Sequence, residues 1–226
     1  MFARGIPEFR LFDMFGVPVY MNVSFAVVAV MFVLDMGGDL LFGLSFAAVL
    51  ALSVLLHEFG HIGAARGFGV RARRVTLSLL GGCASLDEIP REPGAEFITA
   101  VAGPAVSFAL SGVSYLLLRF TAPPEFFVYV LFYGMWLNLA LGCFNLLPGF
   151  PMDGGRVFRS LMARFVPRER ATWWAMAVGR VTAAGIALWG VCDMLATGSV
   201  PFVRFLIVVM IWQEGRREYE MVRYFG

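Results

Sequence analysis

The chain contains no lysine: all eighteen of its basic residues are arginine. The two side chains are not physically interchangeable, so the bias points to a GC-rich genome and is taken as a hint of a prokaryotic source. Charge of either sign is scarce, at 15% of 226 residues against 59% hydrophobic, with a mean hydropathy of +0.77. Such a composition excludes a water-soluble globule and a disordered tail. Cysteine is scarce too. Cys83, Cys143 and Cys192 are too few and too scattered for a disulfide scaffold, and their small, apolar neighbours mark them as buried, inert thiols. A net charge of +2 offers no field for a polyanion, so no nucleic-acid partner is expected.

Long apolar runs fill the chain instead. A bilayer crossing needs about 20 apolar residues, and six stretches qualify: Val17–Leu34, Leu40–Ala65, Phe97–Leu118, Phe126–Leu147, Thr172–Ala196 and Val200–Trp212, the last of them short. Met1–Met14 carries Arg4 and Arg10 but no clean cleavage site, so it is expected to stay attached. Arg66, Arg71, Arg73, Arg74 and Arg91 follow span two, Arg156–Arg170 follow span four, and Arg216, Arg217 and Arg223 follow span six. Positive residues stay on the cytoplasmic side, which places these loops and both termini there. The opposite turns, around Asp35–Asp39, Pro123–Glu125 and Thr197–Ser199, are nearly free of arginine, Arg119 excepted. Val70–Leu86, with Val75, Leu77 and Leu79 alternating before Gly81 and Gly82, has the pattern of a strand and turn, and Phe9–Tyr20 could supply partner strands. The expected fold is an all-α polytopic membrane protein of about six transmembrane helices, with a small membrane-associated β-sheet near the cytoplasmic side.

The only two histidines, His57 and His61, stand in an HExxH pattern around Glu58, inside an expected helix. Spacing of four turns both imidazoles to one face, where they can share a zinc ion while the glutamate acts on water as general base. Interhelical hydrogen bonding and a proton relay are the alternatives for such residues in a membrane helix. A divalent cation offsets the cost of burying three ionisable groups within one turn. A catalytic zinc usually takes three protein ligands, and Asp153 is the candidate for the third. It lies in Asn145–Arg156, where two prolines and three glycines break any regular helix, and broken backbone at membrane depth must face protein or a water-filled cavity. Its other reading is as the cap of a helix over Gly154–Phe165.

Together these segments resemble the site-2 protease family of intramembrane zinc metalloproteases over most of the chain. His57-Glu58-Phe59-Gly60-His61 is similar to the family's first signature, and Asn145–Gly155 to its asparagine-proline-aspartate-glycine signature. Gly81-Gly82 and Ala102-Gly103-Pro104 also fit. The resemblance implies one Zn2+ per chain held by His57, His61 and Asp153, with Glu58 activating the water and Asn145 holding or polarising the substrate. Asn138, seven residues earlier on nearly the same helical face, is expected to join helices. One transmembrane metalloprotease domain over residues 1–226 is implied, with no room for a PDZ insertion and no C-terminal regulatory pair. The implied partners are the lipid bilayer and single-span membrane substrates: anti-sigma factors, pro-sigma factors or signal-peptide remnants. The implied location is a prokaryotic cell membrane, with multiple passes.

The rival function is a metal-ion or proton transporter using the same histidine and carboxylate cluster, with Arg180, Asp193 and Arg204 as further steps. Pairing of Asp193 with Arg204 is the cheaper account of those charges. Gly103-Pro104 is expected to bend or start span three, Gly179 and Gly185 to let helices approach closely, and Trp173, Trp174 and Trp212 to sit in the interface belt. Arg216–Arg223 has the composition of a solvated helix end beside anionic lipid.

Overall fold

A computed structural model describes residues 7–35, 39–78, 81–86 and 92–225. Arg4, residues 36–38, Leu79, Arg91 and the Cys83 side chain therefore lie outside the described residues. The chain divides into two compact units, one of residues 1–90 and 102–142, the other of residues 91–101 and 143–226.

The first unit is organised by a four-stranded sheet of β1 (Glu8–Met14), β2 (Val17–Asn22), β3 (Ala72–Ser78) and β4 (Gly81–Leu86), in that spatial order. The β1–β2 and β3–β4 pairs are antiparallel hairpins, while β2 and β3 run parallel, Val19 opposite Val75 and Met21 opposite Leu77. A parallel pair needs a long crossover, and α1 (Val23–Asp35) and α2 (Leu40–Gly67) supply it. Alternation carries Val17, Val19, Val75 and Leu77 to one face, where they form a core with Phe25, Val54, Leu55 and Ile62. Asp39 caps α2, its carboxylate accepting from the backbone N–H of Leu41 at 3.0 Å and Phe42 at 3.2 Å. The strands expected within Phe9–Tyr20 and Val70–Leu86 are thus present.

The first expected span is corrected. Val17–Asn22 alternates around Pro18 and forms a strand, leaving α1 with 13 residues. At 1.5 Å per residue that is about 20 Å, short of the roughly 30 Å hydrocarbon layer. Four helices among the described residues are long and apolar enough to cross a membrane: α2, α3 (Pro93–Phe120), α4 (Glu125–Asn145) and α6 (Arg168–Thr197). The sixth expected span becomes part of α7 (Phe202–Phe225), whose second half carries Glu214, Arg216, Arg217, Glu218, Glu220 and Arg223. Pro104 does not start span three; it lies inside α3. That helix begins at Pro93, where the Glu92 carboxylate accepts from the Ala95 N–H at 2.6 Å and the Gly94 N–H at 3.0 Å.

The second unit holds α5 (Asp153–Met162), α6 and α7 with the first turns of α3. Met152, Ala183 and Ile211 form its apolar core. Beside it lies a buried ionic cluster that the sequence did not reveal. Arg159, fully buried, donates through Nε to Glu96 Oε1 at 2.7 Å and through a terminal nitrogen to Glu218 Oε1 at 2.7 Å, while Arg168 donates to Glu96 Oε2 at 2.8 Å. The Arg159 guanidinium also stacks over the Phe150 ring, 4.9 Å from its centroid. Asp193 and Arg204 pair at 2.5 Å as expected, Arg204 lying over Trp189 and Arg180 over Trp212. These are local pairings, and they lend no support to a chain of transport sites.

Two small expectations fail. Gly179 does let backbone approach, since a Cβ there would come within 3.1 Å of Gly149 Cα, but a Cβ on Gly185 would meet nothing within 4 Å. Cys143 and Cys192 are exposed, not buried. Both sit on apolar helices long enough to cross a membrane, where apolar neighbours signal an outward face as readily as a core.

Candidate metal centre

Helix α2 carries His57 and His61 one turn apart, so both imidazoles leave the same face. They are 3% and 7% exposed, their rings meet edge to face, and the two Nε2 atoms stand 3.2 Å apart. Two nitrogens at tetrahedral zinc, each about 2.0–2.1 Å from the metal, are separated by about 3.3 Å, so the pair has the spacing of two donors to one ion.

The surroundings keep that face clear and its rings oriented. His57 Nδ1 is hydrogen-bonded to Ser107 Oγ of α3 at 2.9 Å. One turn earlier on α3, a Cβ added to Gly103 would fall 2.8 Å from His57 Nε2 and nearer still to the His61 ring. Any side chain there would occupy the space into which both nitrogens point. The half-buried Glu58 accepts a hydrogen bond at Oε2 from the Ala84 N–H of β4, at 2.9 Å. A Cβ on Gly82, two residues back along that strand, would come within 2.5 Å of Glu58 Cγ and 2.9 Å of its Oε1. The sheet edge is therefore shaped around the carboxylate.

Asp153 opens α5 after a turn that no helix could continue. Helix α4 ends at Asn145, Gly149 adopts φ 143°, and a Cβ on Gly154 would overlap the carbonyl oxygens of Leu146 and Leu147. The capping alternative for Asp153 is not taken up, because Met152 is the N-cap residue and makes no side-chain cap bond. Asp153 is 8% exposed. Asp153 is the expected third donor beside the His57 and His61 pair. Two neutral nitrogens and one carboxylate form a donor set of the kind zinc takes at catalytic sites.

Asn145 is half-buried at the last position of α4. Asn138 joins helices as expected, its Nδ2 donating to Ser53 Oγ of α2 at 2.8 Å. Ser107 and the Ala84 N–H are the parts of the site that sequence reasoning did not assign, and Gly82 entered it only as part of the family pattern. Ser107 had a usable signal, since it lies four residues beyond Gly103 and so on the same helical face.

The family model described as Peptidase family M50 matches residues 45–186. The zinc metalloprotease MJ0392 of Methanocaldococcus jannaschii is 34% identical over 187 residues, covering 82% of this chain and 54% of the relative. The putative zinc metalloprotease Rip3 of Mycobacterium tuberculosis is 40% identical over 164 residues, covering 71% and 42%. Stage IV sporulation protein FB of Bacillus subtilis is 30% identical over 179 residues, covering 77% and 60%. The chain spans about half the length of the curated relatives it matches. Among solved structures, the site-2 protease from Methanocaldococcus jannaschii superposes with a TM-score of 0.68 at 29% identity, covering 94% of this chain and 95% of that one.

Proposed function

The chain belongs to peptidase family M50, the site-2 protease family, and from that membership we propose that it is a zinc-dependent intramembrane endopeptidase acting on single-span membrane proteins. His57, His61 and Asp153 hold one Zn2+ per chain, Glu58 is the general base, and Asn145 holds or polarises the substrate. The observation that carries this reading is the buried pair of imidazole nitrogens at zinc-donor spacing, with Glu58 between them in the same helical turn. Bound zinc supplies Lewis acidity, lowering the pKa of water and polarising the scissile carbonyl.

The chain's own residues do the rest. Glu58 takes the proton from the attacking water and passes it to the leaving amine. The Ala84 N–H holds Oε2 of that carboxylate, which leaves Oε1 to carry the proton. A transmembrane substrate hides its carbonyls in its own hydrogen bonds, so it must unwind locally, and pairing with the strands of Val70–Leu86 would hold the extended segment. In the membrane, the sheet and both termini lie on the cytoplasmic side of a prokaryotic cell membrane. Anti-sigma factors, pro-sigma factors and signal-peptide remnants are the substrate classes that suit such a site.

The test is proteolysis of single-span proteins by the purified chain, with and without a chelator, beside the Glu58→Gln variant. Cleavage should stop with chelator and slow by about 10²–10⁴-fold in the variant while zinc content stays unchanged. Persistent cleavage in either arm would remove the proposal.

A further inference from the structure

Helix α3 is the wall that His57 leans on, and Ser107 is where they touch. Ser107 is completely buried, and its Oγ lies 2.9 Å from His57 Nδ1. Hydroxyls on apolar helices commonly bond the carbonyl four residues back. Ser45 and Thr121 do so here, at 2.6 Å each. Ser107 instead bonds a ring fifty residues away in sequence. Ser111, one turn further along α3, donates instead to the Met135 carbonyl of α4 at 2.9 Å.

A neutral imidazole carries one N–H and one lone pair, and the nitrogen that binds a metal must be the one without the proton. His57 turns Nε2 toward His61, so Nδ1 is left to carry the hydrogen, and Ser107 Oγ is the atom placed to accept it. We propose that Ser107 is a positioning residue for the metal site: its hydroxyl fixes the Nδ1–H tautomer and the ring angle of His57, so that Nε2 presents its lone pair to zinc. This rests on the zinc reading above. Nothing else is asked of Ser107, which touches neither water nor substrate in this role. Outer partners of metal-bound histidines typically contribute about 10–100-fold to metal affinity.

The test uses the full chain in detergent micelles, with zinc affinity measured by competition against a chromophoric chelator. Ser107→Ala should bind zinc about 10–100-fold more weakly, Ser107→Thr, which keeps the hydroxyl, should stay within a few-fold of wild type on the same scale, and Ser111→Ala should match wild type. The chain has two histidines and hence four ring nitrogens, so a 15N-histidine NMR spectrum can be assigned with His57→Ala and His61→Ala. In zinc-loaded wild type, His57 Nδ1 should be the protonated nitrogen, and its signal should move in Ser107→Ala but not in Ser111→Ala. Equal affinity in Ser107→Ala with an unmoved signal would overturn the proposal, as would a proton on Nε2. If Ser107→Ala does not fold, the wild-type spectrum decides alone. A wild-type chain that binds no zinc, or binds it equally well as His57→Ala, would instead refute the underlying zinc reading.

Discussion

Two buried polar clusters in this chain have opposite characters. Around Arg159 the charges answer one another: Glu96 accepts from Arg159 and Arg168, Glu218 accepts from Arg159, and all four side chains lie in the second unit. Around His57 and His61, two imidazole nitrogens leave one helical face at the spacing of two donors to one ion. A buried ionic group must be paired or neutralised. The first cluster meets that need internally and is complete as a piece of architecture; the second presents neutral nitrogens with the geometry of metal donors. Burial of polar groups alone therefore does not mark a site. What marks it is a donor set whose natural partner is a ligand.

The comparison breaks most visibly at Arg159. Replacing it with methionine leaves Glu96 and Glu218 short of positive charge in a buried setting, and should lower stability by about 3–5 kcal/mol, measured by thermal unfolding in detergent. Adding Glu96→Gln should recover part of that loss. A fall in proteolysis with unchanged stability would mean that the ionic cluster is itself part of the working site.

Gly103→Ala sharpens the contrast from the other side. Its methyl group would sit against both imidazoles, and overpacking of this kind costs about 1–3 kcal/mol. It should appear as zinc binding weakened by about ten- to a hundred-fold, at about 1.4 kcal/mol per tenfold. Full zinc affinity in Gly103→Ala would show that the space beside the rings is not used.

The smallest effect belongs to Glu92, whose carboxylate is held below the usual range by the backbone N–H of Ala95 and then of Gly94. A depressed carboxylate stabilises the fold above its unfolded pKa, and that contribution fades as pH falls through the lower folded value. The protection of the Gly94 and Ala95 amides, read as exchange relative to the intrinsic rate at each pH, should therefore fall as pH drops through that lower value. Glu92→Gln should abolish that dependence.

How much the sequence disclosed follows from the range of each interaction. The HExxH pair was legible because its geometry is set within one helical turn, and the sheet because alternation and turn residues are local signals. Asp153 was legible through the proline- and glycine-rich stretch that interrupts the apolar run before it. The strand at Val17–Asn22 was hidden because its apolar residues continue directly into α1, so hydropathy alone merged them. The Glu96–Arg159 pair, 63 residues apart, and the Ser107–His57 bond depend on tertiary placement that no periodicity encodes. The exposure of Cys143 and Cys192 was misjudged because apolar surroundings mean burial in water but not in lipid.

X-ray absorption at the zinc edge of the zinc-loaded chain tests the central claim most directly. The account predicts one zinc per chain with only nitrogen and oxygen neighbours at about 2.0–2.1 Å, the multiple-scattering pattern of two imidazoles, and an altered oxygen shell in Asp153→Ala. A sulfur shell at about 2.3 Å, fewer than two imidazoles, or a spectrum indifferent to Asp153→Ala would contradict it.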